Sequence, residues 1–203
     1  DGYLADPPES DVVIATIDVP VCCGSTKILI GPILTKQNVR KIRDRLCAIQ
    51  EQRRRLYAQG LLGRLLQPGL FMRNVDANDA TSCIDRMGEL LAAQGLATPE
   101  YIADVHLRES VSSTAFTDSL AMPHAISVYP ERSFIAVAHN DASIPWGRHD
   151  VRFVLLIGIA QEDMGLFRDV LDLIIEVFSS VETTMRLMQT DTFDEFLAEL
   201  THD

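Results

Sequence analysis

The sequence predicts an α/β protein in which helices pack on a mixed sheet, preceded by a short β-α segment and a long linker helix. Three observations predict this fold. Strand-like and helix-like apolar patterns alternate over the last two thirds of the chain, as in layered α/β domains. Two short β-branched runs lie near the N-terminus, and an extended amphipathic pattern connects the two regions.

The N-terminal region, residues 1–35, contains two apolar runs, residues 11–17 (DVVIATI) and 27–33 (KILIGPI). Each has the length and composition of a short buried strand. Two strands alone leave open edges and bury little apolar surface. We therefore expect this segment to be recruited by another surface, paired with a second copy, or disordered.

A helical pattern follows Thr35, which is a candidate N-cap. Its apolar positions recur at steps of three and four residues: Val39, Ile42, Leu46 and Ile49. This spacing predicts one long helix over residues 36–66, or two helices interrupted near Gly60 and Gly63. The opposite face is basic, and we interpret it as a solvated linker surface. The apolar stripe needs a partner, which favours packing on the following domain or a homodimer.

The third region, residues 67–203, alternates between the two kinds of pattern. Thr98 is a candidate N-cap for one of its helices, and Gly95 a candidate C-terminal signal for the helix before it. The predicted helices cover residues 80–94, 99–108, 166–179 and 192–200, and the predicted strands cover residues 120–124, 134–139 and 151–159.

Composition excludes several classes of protein. A net charge of −11 argues against direct contact with nucleic acid, which requires clustered basic residues. The sequence contains neither an apolar run of about 20 residues nor a signal-like N-terminus, so we expect no membrane contact and a cytoplasmic location. The cysteines, Cys22, Cys23, Cys47 and Cys83, show no disulfide or metal-ligand spacing. We expect neither a cofactor nor a bound metal.

The strongest candidate for chemistry is His124. Pro123 restricts the backbone that enters it, and a histidine that is neutral at cellular pH has one ring nitrogen free to attack phosphorus. Arg108 offers a fork of donors that matches phosphate oxygens. Supporting contacts are expected from Glu109, Ser112, Ser113 and Thr114.

Several motifs occur in a characteristic order: Tyr101, then Arg108 with Glu109, residues 112–114, the string SLAMPHA that contains His124, and Ile144, Pro145 and Trp146. This order resembles the mannitol/fructose-type IIA domain of the bacterial phosphoenolpyruvate-dependent sugar phosphotransferase system. The resemblance implies a layered mixed-sheet domain in which His124 carries a phosphoryl group and Arg108 stabilises it. It also implies the histidine phosphocarrier HPr or a sugar-specific IIB protein as partner.

The sequence departs from that family at named positions. Ser119 and Ala125 replace glycines that usually flank the active histidine, and Asp163 is the positional match for a second histidine. A carboxylate there would repel a phosphoryl group, which favours a slow regulatory role over transport. His139, at a predicted strand end, is the best remaining candidate for a second imidazole, with a structural role as the alternative.

The N-terminal runs, DVVIAT and IGPILT, are similar to the second half of a galactitol-type IIB-like domain. Together with the IIA motifs, they resemble the C-terminal end of BglG-family regulators and antiterminators, which carry phosphotransferase regulation domains. The resemblance implies a phosphorylated regulatory module. Two alternatives stay open, a transport component that passes phosphate from HPr to a IIB cysteine, and a domain that has lost phosphorylation.

Overall fold

Two units make up the protein in the computed structural model, Asp1–Arg54 and Arg55–Asp203. The structure describes residues 12–21 and 25–201. Cys22 and Cys23, interpreted above as lacking a disulfide or metal-ligand pattern, lie outside the described residues.

Strands and helices follow one another along the chain much as the sequence patterns predict. In chain order the elements are β1 (Val12–Ala15), β2 (Thr26–Leu29), α1 (Lys36–Leu65), β3 (Leu66–Arg73), α2 (Ala80–Ala93), α3 (Pro99–Val111), β4 (Leu120–Ala121), β5 (Phe134–Trp146), β6 (His149–Gly158), α4 (Met164–Ser179), α5 (Val181–Leu187) and α6 (Phe193–Leu200). Every predicted strand and helix has a counterpart. The strand β3 and the short helix α5 were not predicted.

In the first unit, β1 and β2 form a parallel pair. Val13 and Ile28 are buried, whereas Ile14 and Leu29 are exposed. The Thr35 side chain accepts a hydrogen bond from the Asn38 N–H at 3.2 Å, so it caps the start of α1 as predicted.

The helix α1 is continuous over Lys36–Leu65 and is not interrupted at Gly60 or Gly63. An isolated glycine in a helix costs only about 1 kcal/mol. Packing of the last turns offsets this cost, since Leu62 and Leu65 are buried in the core of the second unit.

The second unit is built on a four-stranded sheet with the order β3-β5-β6-β4. The central strands β5 and β6 are antiparallel, while β3 runs parallel to β5 and β4 parallel to β6. The carboxyl ends of β4 and β6 therefore lie at the same edge. This arrangement places the segment that follows β4 beside the end of β6.

Helices cover both faces of this sheet. Leu155 and Ile157 of β6 belong to the same buried cluster as residues of α1, α4 and α6. Their neighbours Val154 and Leu156 belong to a second cluster with residues of α2 and α3. Because side chains alternate between the faces of a strand, the two clusters lie on opposite sides of the sheet. The predicted mixed sheet flanked by helices is confirmed.

The strand β3 escaped prediction because its sequence, LQPGLFMR, contains Pro68 and Gly69. Both residues normally argue against a strand. Pairing with β5 is irregular between Leu66 and Phe71, and β3 is an edge strand, where a proline without an N–H is tolerated.

Candidate active site

His124 lies just beyond β4, at the edge where β4 and β6 end. The predicted strand over residues 120–124 is shorter in the structure, because only Leu120–Ala121 pairs regularly and Pro123 has no N–H to donate. His124 instead forms an isolated parallel bridge with Ile157 of β6. The Ile157 N–H donates to the Pro123 carbonyl oxygen at 2.9 Å, which fixes the backbone immediately before the histidine.

The imidazole of His124 is oriented by its own backbone. Its Nδ1 lies 2.9 Å from the carbonyl oxygen of Met122. A carbonyl oxygen only accepts hydrogen bonds, so Nδ1 is the nitrogen that carries the proton in this contact. The neutral ring then has its lone pair on Nε2, which makes Nε2 the nucleophilic atom.

The helix α3 holds the strand residue beside His124 through a hydrogen bond from Tyr101. Thr98 caps its first turn by accepting from the Tyr101 N–H, and the buried Tyr101 hydroxyl donates to the Ile157 carbonyl oxygen at 2.7 Å. Burial, followed by the charge of Asp104, raises the pKa of Tyr101, so its hydroxyl remains a donor. The backbone of Ile157 is thus bonded through both its N–H and its carbonyl group.

Arg108 lies near the end of α3. It lines the same cavity as His124, and its Nη1 donates to the Ser112 carbonyl oxygen at 2.8 Å. This bond holds the guanidinium against the turn that follows the helix. A positive charge that lines the same cavity as an imidazole suits the binding of phosphoryl oxygens.

Glu109 fastens the turn after α3 to the sheet. Its carboxylate accepts from the Thr114 N–H at 3.0 Å and from the Thr114 hydroxyl, and from the Trp146 indole N–H at 2.9 Å. These three bonds use both oxygens of the Glu109 carboxylate, so its role is to hold the turn against β5. Ser113 and Thr114, which the turn presents, line the cavity.

The cavity beside His124 has a volume of about 380 Å³ and a largely apolar wall. One side is formed by α4, from which Met164, Phe167 and Leu171 line the space. Around the mouth, Phe116, Ile126, Tyr129 and Met164 are exposed. One imidazole and one guanidinium therefore open into a site whose rim is apolar.

Four predicted site residues are not among the described residues that line the cavity. Glu109 and Ser112 adjoin it through the turn after α3, whereas His139 and Asp163 have other surroundings. His139 is 1% exposed and stacks on Phe153 with ring centroids 4.3 Å apart. Burial, with a smaller contribution from Arg73, lowers the pKa of His139 to about 4. Asp163 precedes α4 and accepts a hydrogen bond from the Ser133 hydroxyl. Neither His139 nor Asp163 is among the described residues that line the cavity.

Sequence reasoning missed two features of the site. One is the apolar wall of α4, whose periodicity indicated only a core helix. The other is Asp104, which accepts hydrogen bonds from the loop after His124. An aspartate within a helix is mildly unfavourable. Asp104 follows Tyr101 by three residues and precedes Arg108 by four, so the spacing could have placed it on the same helix face as these two site residues.

Within residues 12–21 and 25–201, no helix combines the length and apolar character needed to cross a bilayer. The same residues contain no group of at least three His, Cys, Asp or Glu side chains arranged to hold a metal ion.

Comparison with known proteins gives consistent matches. Residues 64–203 match the family described as "Phosphoenolpyruvate-dependent sugar phosphotransferase system, EIIA 2". The chain is 23% identical to the transcriptional regulator ManR of Bacillus subtilis over 164 residues, which is 81% of this chain and 25% of ManR. It is 32% identical to the mannitol-specific phosphotransferase enzyme IIA component of Halalkalibacterium halodurans over 128 residues, 62% of this chain and 86% of that protein.

Among solved structures, the fold is similar to the Escherichia coli complex of enzyme IIA and phosphorylated enzyme IIB for mannitol. The TM-score is 0.60 at 19% identity, covering 68% of this chain and 98% of the matched chain. The chain spans about a quarter of the length of ManR.

Proposed function

Because the chain belongs to the EIIA type-2 family of the phosphoenolpyruvate-dependent sugar phosphotransferase system, we propose that it accepts a phosphoryl group on Nε2 of His124. The observation that carries this proposal is the bond from Nδ1 to the Met122 carbonyl oxygen. It leaves the Nε2 lone pair available in a cavity that Arg108 also lines.

A IIB donor would carry the phosphoryl group on a cysteine and release it by breaking a P–S bond. With HPr as the donor, the reaction is a transfer between two histidines. Nε2 of His124 attacks the phosphorus of a phosphohistidine on the donor, the donor P–N bond breaks, and its electron pair returns to the donor imidazole. The His124 ring keeps its Nδ1 proton and becomes more positive, which strengthens the hydrogen bond to the Met122 carbonyl. Arg108 neutralises charge on the phosphoryl oxygens.

We propose a protein as the donor, HPr or a IIB protein acting in the cytoplasm. The apolar rim supports this choice, because exposed apolar side chains around a site are typical of protein interfaces. Phe116 is 41% exposed, Ile126 50% and Tyr129 49%. The similar mannitol IIA structure is a complex with a phosphorylated IIB protein.

The phosphorylated domain serves as a regulatory module of a larger transcriptional regulator or antiterminator of the BglG type. The match to ManR supports this role. It covers 164 residues of this chain, which is more than residues 64–203, the part that matches the family. The regulator likeness therefore extends into the segment before the domain. In this proposal residues 1–35 are the second half of a galactitol-type IIB-like domain, residues 36–66 a helical linker, and residues 67–203 the IIA domain.

A second candidate function is transport, in which the phosphoryl group passes from HPr through His124 to a IIB cysteine. The 32% identity to a mannitol IIA component, 86% of which is covered, favours it. Phosphorylation of a mannitol-type IIB protein by phosphorylated HPr distinguishes the two roles, because catalytic amounts of a transport component accelerate it and catalytic amounts of a regulatory module leave its rate unchanged.

We also propose that the protein is a homodimer. Along α1, Val39 is exposed, and Ile42, Leu46 and Ile49 are only half-buried. Their three- and four-residue spacing is that of a coiled-coil seam. Sedimentation of a monomer at micromolar concentration would contradict this proposal.

Phosphorylation of His124 is tested with phosphoenolpyruvate, enzyme I and HPr. We expect one acid-labile phosphoryl group per chain, which His124→Ala abolishes. His106→Ala is the matched control, since His106 lies on α3 and pairs with Asp85. Labelling that survives in His124→Ala would place the chemistry at another residue.

A further inference from the structure

Asp104 is a buried anion in the middle of α3, and it accepts hydrogen bonds from the loop that follows His124. Its Oδ2 accepts backbone N–H groups from three successive residues, Ile126 at 2.8 Å, Ser127 at 2.6 Å and Val128 at 2.9 Å. Asp104 is only 8% exposed. Successive amides that point at one oxygen form an anion-binding nest, and here the occupant is the chain's own carboxylate.

The hydrogen bonds from the loop favour the ionised form of Asp104. Hydrogen bonds from Ser127 and Val128 hold the pKa of Asp104 below its usual range, although burial acts in the opposite direction. The carboxylate is therefore charged at neutral pH, which suits an acceptor of three N–H groups.

The loop bonded to Asp104 lies between the core and the cavity. Ile126 is 50% exposed and Ser127 is also exposed, whereas Val128 packs partly against the core. Yet Ala125, Ile126 and Val128 line the cavity beside His124, and Tyr129 continues its rim. A buried charge that holds a surface loop therefore fixes one wall of the site.

His124 itself is held by other bonds. Its imidazole is oriented by Met122, and its backbone is tied to β6 through Ile157. Loosening the loop would therefore move the wall that a partner contacts while leaving the nucleophile in place.

We propose that Asp104 is a positioning residue that holds the loop Ile126–Val128 in the shape that the phosphoryl donor protein docks against. This inference rests on the proposed phosphorylation of His124. It assigns Asp104 to recognition of the donor, and the transfer step is left to His124 and Arg108.

The test compares single-turnover phosphorylation of Asp104→Ala and Asp104→Asn with phosphorylated HPr in excess over a range of concentrations. KM is then the concentration of phosphorylated HPr that gives half of the maximal rate, and kcat is that maximal single-turnover rate. We expect KM for phosphorylated HPr to rise about tenfold in Asp104→Ala. Asp104→Asn keeps one acceptor oxygen, so its increase should be smaller. In both variants kcat should stay within about twofold of the wild type, because uniform binding is lost and the nucleophile is unchanged.

Thr98→Ala is the matched control for a general loss of stability, because it removes the N-cap of the same helix without touching the loop. Its KM should equal that of the wild type. NMR supplies an independent signature. In the wild type the amide protons of Ile126, Ser127 and Val128 should shift together as the Asp104 carboxyl titrates in acid, and Asp104→Asn should abolish that common shift.

An unchanged KM in folded Asp104→Asn and Asp104→Ala would overturn the proposal, as would a fall in kcat at constant KM. A wild-type protein that neither phosphorylated HPr nor a phosphorylated IIB protein labels would instead refute the proposed function. The common acid shift of the three amides would still report the hydrogen bonds to Asp104 in that case.

Discussion

Replacing Arg108 with alanine tests whether its guanidinium stabilises the phosphoryl group during transfer. Arg108 lines the cavity with His124 and is held by its bond to the Ser112 carbonyl oxygen. The substitution removes a charged donor and leaves the Nε2 nucleophile in place. We therefore expect His124 to be phosphorylated more slowly, with labelling reduced and not abolished.

The size of the effect follows from the exposure of the side chain. Removing one preorganised donor from an enclosed site costs about 3 to 4 kcal/mol of transition-state stabilisation. Arg108 is half-buried, so water screens part of its charge, and we expect about 2 kcal/mol, or roughly a 30-fold loss in kcat/KM. Loss of the hydrogen bond to Ser112 should lower the free energy of unfolding by about 1 kcal/mol.

Rapid-quench measurement of phosphoryl transfer from labelled HPr gives this rate directly. Arg86→Ala is the matched control, because Arg86 lies on α2 and pairs only three residues away with Glu89. Arg108→Lys keeps the charge without the planar fork and should fall between the wild type and Arg108→Ala. Equal rates in Arg108→Ala and Arg86→Ala would refute the assigned role of the guanidinium.

Two further substitutions address stability. Glu109→Ala removes the acceptor for the Thr114 N–H and the Trp146 indole. It should lower the free energy of unfolding by about 1 to 3 kcal/mol and shift the fluorescence emission of the single tryptophan. Glu109→Gln should change both quantities less. Unaltered emission in Glu109→Ala would argue against this contact. Burial lowers the pKa of His139 from 6.5 to about 4, so between these values the unfolded chain binds more protons and stability falls as pH falls. His139→Leu should reduce the difference between urea midpoints at about pH 5 and pH 7.5, and a difference as large as in the wild type would assign that dependence to another group.

Local signals in the sequence were sufficient for much of the fold and for the restricted backbone before His124. Thr98 caps α3 as predicted, and Gly95 has a φ of +66° just beyond α2, a conformation that glycine adopts at little cost. Pro123 restricts the backbone before His124 wherever the segment is placed. Each of these effects depends on neighbouring residues only.

Contacts between distant residues account for what the sequence did not reveal. The amides bonded to Asp104 lie 22 to 24 residues further along the chain, and no local pattern announces them. His139 lies next to the end of a run of β5 that is buried on both faces, so alternation could not show which way its ring points. The structure places that ring against Phe153.

The two backbone hydrogen bonds of Ile157 allow the rate at which the His124 segment opens to be measured by hydrogen exchange. Its N–H is donated to Pro123 and its carbonyl accepts from Tyr101, so the backbone before His124 cannot leave the sheet without exposing this amide to water. Deuterium uptake at Ile157 therefore counts excursions of the histidine segment. Uptake at Ile126, Ser127 and Val128 counts those of the loop alone. A loop that exchanges much faster than Ile157 would show that the cavity wall moves while the His124 segment stays bonded to the sheet.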